Sequence, residues 1–439
     1  MATDAARDFA LLAATARRSI DDLRRAVHAA PPPRGRRGEH FLTVVEAALG
    51  ALEAGVADRE AEFASAADEQ EQRAVIRSMR RINYDVMGLH EVSPWIESAR
   101  GSKLALGLVY FVDELVFALL KAPADVVMTP SGTYMYSTIH KPFEDPLTNL
   151  GVAYPAAVLP IIVSYPVHEP DSLFLHLIIA HELGHSAIAE HNLDQEVYRR
   201  DPNPTGTRDT LSQAVAEYLT QEGGTPAAAR GRLRVILRHW LAELICDALA
   251  VGFLGPSYLL TAAAFGAPFD GPEPSETHPP LTLRTHLLIE RLTSWGWIPL
   301  LQAGMPETFA WMLETSTRPQ QAAHRTYFLR LEEAIRNLSK TIEDVVSAHL
   351  GADLFQLDAH ASNADELSAL LERDILPAQL LDRSPASRRS IILSGWMHAF
   401  AKHGDQPVAL ASIVGDRDQQ RFLTKALEMS VVLERWATL

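Results

Sequence analysis

Residues 180–191 read AHELGHSAIAEH, with three histidines and two glutamates in a run that is otherwise small or apolar. His181 and His185 are four apart, so a helix carries both imidazoles on one face. That is the spacing with which two histidines hold one tetrahedral zinc. Glu182 follows the first histidine, where a carboxylate can reach a water activated at such an ion and act as general base. Gly184 has no side chain and permits close approach of a neighbouring element. The flanks LFLHLIIA and SAIA predict a buried helix, and buried His and Glu are costly unless paired or coordinated.

The motif needs a third ligand, and three residues offer one. His191 lies six after His185, which is metzincin spacing, but Ile188 stands where that pattern has the glycine that turns the chain back. Ala187-Ile188-Ala189-Glu190 favours continued helix, and six further residues rotate His191 by about 240° from His185. His191 then reads as a surface residue near a helix end. Glu217, between Gln213 and Gln221, reads as part of an exposed helix face. Glu243 and Asp247 sit four apart in the apolar run HWLAELICDALAVGFLGPSY (239–258) and share a face. Two unpaired buried carboxylates would be very unfavourable. Glu243 as a zinc ligand, with Asp247 accepting a hydrogen bond from a ligand histidine, removes the problem. An arginine partner for the pair, Arg284, is the alternative. Cys246 reads as a small buried hydrophobe, and His239, four before Glu243, as a cap or solvent contact.

LHLIIAHELGH, AELICDALA and THPPLTLRTHLLIERL (277–292) occur in that order. Together they resemble the gluzincin zinc peptidases, and within them the family of the CAAX prenyl proteases and the HtpX-type heat-shock peptidases, over about residues 153–292. The resemblance implies zinc held by His181, His185 and Glu243, with Glu182 as base and Asp247 behind the ligands. It places His278 and Arg284 at the site, stabilising the oxyanion or holding the acids. It also makes IIVSYP (161–166) an edge strand that pairs with an extended peptide substrate; the residues alone equally allow an internal strand. The Asn-Ala-Phe segment of that family is absent, and Val152-Ala153-Tyr154-Pro155 stands there instead.

The elements that must position these residues are mostly helical. Ala-, Leu-, Glu- and Arg-rich sequence with helical spacing fills 1–30 and 39–120, on either side of a Pro/Gly/Arg linker (31–38). β-branched and aromatic residues with Pro and Gly punctuation predict a small sheet between about 125 and 166. One helix is expected over 171–191 from a cap at Asp171-Ser172, a loop at 201–209, helices at 210–222 and 226–265, a second loop at 266–280, and helices from 281 with breaks near Gly304, Pro377 and Gly404. The expected fold is mainly α with a small β-sheet: a zincin-like core (121–292) between N-terminal (1–120) and C-terminal (293–439) helical regions.

The net charge of −15 argues against nucleic acid as the main partner, since phosphate binding needs concentrated Lys and Arg. The short basic cluster Arg34-Gly35-Arg36-Arg37 reads as linker. One cysteine excludes an intramolecular disulfide and fits a cytoplasmic setting. The N-terminus lacks the pattern of a secretion signal, and Asp113-Glu114 interrupt LALGLVYFVDELVFALL (104–120), so no membrane span is expected. The reading is a zinc metalloendopeptidase acting on proteins or peptides. The alternatives are a zinc-stabilised helical scaffold, or a peptidase kept latent until a protein partner engages the helical flanks.

Overall fold

The computed structural model describes residues 4–29, 38–100, 104–132, 136–140, 147, 150–155, 158–269, 274–317 and 325–438. The cluster Arg34–Arg37 lies outside them. The protein is mainly α with one small sheet. Two compact units form, Met1–Lys103 with Ala122–His168, and Leu104–Lys121 with Glu169–Leu439. They cut across the three regions read from the sequence. The strands belong with the N-terminal helices, while Leu106–Leu120 belongs with the HExxH motif.

The first unit contains α1 (Asp4–Ala29), α2 (Glu39–Ser65), α3 (Glu69–His90) and α4 (Ser93–Arg100). α1 buries Phe9, Ala13, Ala16, Ile20, Leu23 and Val27, one stripe at three- and four-residue spacing. α2 answers with Phe41, Val45, Ala48, Leu52 and Val56. Among the described residues α2 alone is long and apolar enough to cross a membrane by length and composition. Its buried face packs in this core.

Strands β1 (Ala124–Ser131), β2 (Ser137–His140) and β3 (Leu159–Pro166) form a mixed sheet in the order β1-β3-β2. β3 pairs in parallel with β1 and antiparallel with β2. IIVSYP is therefore the central strand and not an edge. Residues 161–164 are paired on both sides, which removes the expected strand addition by substrate along this stretch. A fully buried apolar run such as Ile161-Ile162-Val163 belongs in the middle of a sheet.

Asp125 on β1 holds the start of α2. Its two carboxylate oxygens accept from the backbone N–H groups of Gly38 and Phe41, the latter at 2.7 Å. Burial pushes the carboxyl up, and the two N–H groups work against that. Asp125→Ala removes the carboxylate that both N–H groups bond to and is expected to cost about 3 kcal/mol, from 1–3 per lost buried bond. Urea unfolding followed by circular dichroism measures it.

The second unit begins with α5 (Leu106–Leu120), apolar nearly all round and accordingly buried. A single turn, α6 (Leu173–His176), precedes α7 (Ile179–His191). The one expected helix is thus two. Ser172 does not cap with its side chain. Gln420 Oε1 accepts from Phe174 N instead (3.1 Å). α8 (Leu193–Arg199) leads to α9 (Pro204–Glu222), which starts earlier than expected because Asn203 caps it, accepting from Gly206 N at 3.0 Å. α10 (Pro226–Leu254) ends at Gly255, and α11 (Pro256–Phe269) sets off anew, where the sequence suggested one continuous helix. Gly255 has φ +58°, and a Cβ there would stand 2.2 Å from the Phe355 ring. Only glycine meets both demands. α12 (Leu281–Ser294) follows, and further helices run to Ala437, with helix ends at Gly304 and His403 close to the expected breaks.

Candidate metal centre

α7 supplies His181, Glu182 and His185, and α10 supplies Glu243, Cys246 and Asp247. The two helices approach closely at Gly184. A Cβ on Gly184 would lie 2.9 Å from Cys246 Cα, so a larger residue would force the helices apart. This close crossing brings the two polar faces together. His181, His185 and Cys246 form a group whose ligand atoms lie within 4.8 Å of one another, and this group can hold a metal ion.

Glu243 reaches both imidazoles. His181 Nε2 is 3.2 Å from Oε2 and His185 Nε2 is 3.4 Å from Oε1. Behind them, His181 Nδ1 donates to Asp247 Oδ1 at 2.9 Å. Arg284, from α12, grips Asp247 with two bonds, Nε to Oδ2 (2.8 Å) and Nη2 to Oδ1 (2.9 Å). Its other nitrogen is 3.9 Å from Glu243. Arg284 is therefore the partner that holds the acids. Tyr258, on α11, donates its hydroxyl to Asp247 Oδ1 at 2.6 Å and stands 3.2 Å from His181 Nδ1. The sequence reading did not single it out. The available signal was a tyrosine in an apolar helix, which needs a hydrogen-bond partner when buried. Its direction depends on the turn at Gly255.

The electrostatics follow from burial and from this network. Burial works against a charged His181, but bonds to Asp247 and Glu243 outweigh it and push the imidazole up to about 10. Burial and the His181 charge push His185 down to about 4. Glu243 is held down at about 2: burial opposes ionisation, and His181 and Arg284 overcome it. Asp247 would likewise be raised by burial, but Arg284 and His181 hold it well below the usual carboxylate range. Burial pushes Glu182 up to about 7, with His181 pulling the other way. The Cys246 thiol is pushed well above its ordinary value by burial, then by Glu243 and Asp247.

His278 lies at the mouth. Its Nε2 is 3.9 Å from Glu243 Oε2, and its side chain is largely exposed. Its Nδ1 meets Thr277 Oγ1 at 2.9 Å. A pocket of about 150 Å³ opens here. His181, Glu182, Glu243, His278 and Arg284 line its polar side, and α11 and α12 supply an apolar wall that includes Leu259, Phe265 and Leu288.

The remaining candidates lie elsewhere. α7 stays helical through Ile188 to His191. His191 is half-buried rather than a surface residue: its Nε2 donates to the Leu120 carbonyl at 2.8 Å, at the end of α5. Glu217 is not freely exposed but accepts from Arg330 Nε at 2.9 Å. His239 contacts the Glu276 carbonyl at 3.4 Å. No protein-family model, curated protein or solved structure matches the chain.

Proposed function

We propose that the protein is a zinc-dependent metallopeptidase with His181, His185 and Glu243 as its ligands. One observation carries the reading: both Nε2 atoms converge on the Glu243 carboxylate at 3.2 and 3.4 Å. Two ligands bonded at 2.0–2.1 Å to one tetrahedral zinc stand about 3.3–3.4 Å apart. The two distances run to different oxygens of the one carboxylate, Oε2 for His181 and Oε1 for His185, and each is close to the separation of two ligands on one zinc. Glu243 is favoured over Cys246 because the metal-free carboxylate is ionised, whereas Cys246 would have to give up a proton on binding.

When bound, zinc supplies a Lewis acid that polarises a carbonyl and lowers the pKa of water. The chain supplies the rest. Asp247 accepts the Nδ1 proton of His181 and so aims Nε2 at Glu243; Nε2 would give up its own proton to bind the metal. Arg284 and Tyr258 fix Asp247 in turn. Glu182 takes a proton from the attacking water and returns it to the leaving amine; a carboxyl raised towards neutrality suits both transfers. His278, at the pocket mouth, is the side chain placed to donate to a developing oxyanion. The pocket's apolar wall takes a substrate side chain.

Purified protein is expected to cleave unfolded casein, to lose that activity on chelation and to regain it with zinc. Casein left intact by the zinc-loaded protein would count against peptidase chemistry.

A further inference from the structure

A second pocket, of about 390 Å³, lies between α9 and α10 and shares no residue with the metal centre. Arg208, Leu211, Ser212 and Val215 line it from α9, at the three- and four-residue spacing of one helix face. Pro226, Arg230, Leu233 and Arg234 line it from α10 in the same way. Three exposed arginines thus line one cleft in a protein of net charge −15.

The arginines of α10 divide by side. Arg232 is paired with Glu276, and Arg238 with Asp194 at 3.4 Å. Among the described residues, Arg208, Arg230 and Arg234 have no carboxylate within 4.0 Å. Arg230 Nε donates only to the Pro226 carbonyl, at 3.2 Å. Gathering three cations without a counter-charge raises their mutual repulsion, and an anion in the cleft relieves it. The cleft also borders the first turns of the 29-residue α10, whose positive dipole end favours the same sign of ligand. Between the arginines the floor is apolar, from Leu211, Val215 and Leu233.

We propose that this cleft binds a small soluble phosphomonoester that carries an apolar substituent. Guanidinium groups match phosphate oxygens with paired, charge-assisted hydrogen bonds. Ser212 Oγ donates to the Arg208 carbonyl at 2.8 Å, so the arginines are the donors, and the floor takes the substituent. The volume is that of a small-molecule site. The inference does not depend on zinc binding or peptidase activity.

Isothermal titration of the full chain with hexyl phosphate and with inorganic phosphate tests it. Hexyl phosphate is expected to bind at one site, about fivefold or more tighter than phosphate alone, because of the buried alkyl chain. Arg230→Gln and Arg234→Gln should each weaken it about tenfold, with circular dichroism and zinc content unchanged. Equal binding of the two probes, or affinity unaltered in both variants, overturns the proposal. So does binding to phosphatidic acid vesicles without binding to hexyl phosphate, which would make the ligand a membrane surface.

Discussion

Replacing Glu243 by alanine is expected to reduce zinc from about one ion per chain to under about a tenth. Glu243 is the group on which both imidazoles converge, at 3.2 and 3.4 Å, and it comes from a different helix than they do. Without it His181, His185 and Cys246 remain, and the buried thiol must lose its proton before it can bind, so this set is expected to hold zinc far more weakly. Cys246→Ala and His191→Ala are the matched controls. His191 is engaged with the Leu120 carbonyl and should leave zinc content unchanged. Cys246 should also leave it unchanged, since its thiol holds its proton and packs against Gly184. Metal analysis by mass spectrometry reads all three variants. Zinc kept by Glu243→Ala but lost by Cys246→Ala would move the third ligand to the thiol and break the gluzincin reading.

Glu182→Gln is expected to lower casein cleavage about 10³-fold while zinc content stays at the wild-type level. The substitution keeps the shape of the side chain and removes its ability to accept a proton. Metal retention separates this role from ligation, which a loss of activity alone would not do. The pH dependence has a defined sign. In the protein without metal, burial raises the Glu182 carboxyl to about 7. Below that value the group is protonated and cannot act as base, so the rate falls towards acid. A divalent cation beside it favours the carboxylate, so the acid limb of the zinc-loaded protein is expected below pH 7. A Glu182→Gln variant with near wild-type rate, or an acid limb above pH 7, would remove Glu182 from the chemistry.

The Asp247 network has consequences for both experiments. Arg284, Tyr258 and His181 all bond to Asp247, and Asp247 is almost wholly buried. Removing that carboxylate takes two short bonds from the partly buried Arg284 guanidinium and leaves the longer 3.9 Å contact with Glu243. Variants at Asp247 or Arg284 therefore mix folding with chemistry, whereas Glu182 and Glu243 isolate one role each.

The features legible from residue types and spacing are local in the chain. His181 with His185, and Glu243 with Asp247, are each four apart, and helical geometry alone places each pair on one face. The cost of burying such groups unpaired makes their meeting predictable before any coordinates exist. The predominance of helix and the position of the small sheet were legible for the same reason, since they follow from short-range periodicity. Tertiary structure decided the rest, because it depends on which distant groups become neighbours. Only the sheet order shows that β3 is central rather than at an edge. The break at Gly255-Pro256 has a local signal, but only the packing shows that the Phe355 ring leaves no room for a Cβ at 255 and that Tyr258 meets Asp247. His191 finds the Leu120 carbonyl and Phe174 finds Gln420, and neither contact has a signature at its own position. The arginine cleft is of the same kind: each helix shows one ordinary amphipathic face, and only their packing makes the two faces a pocket.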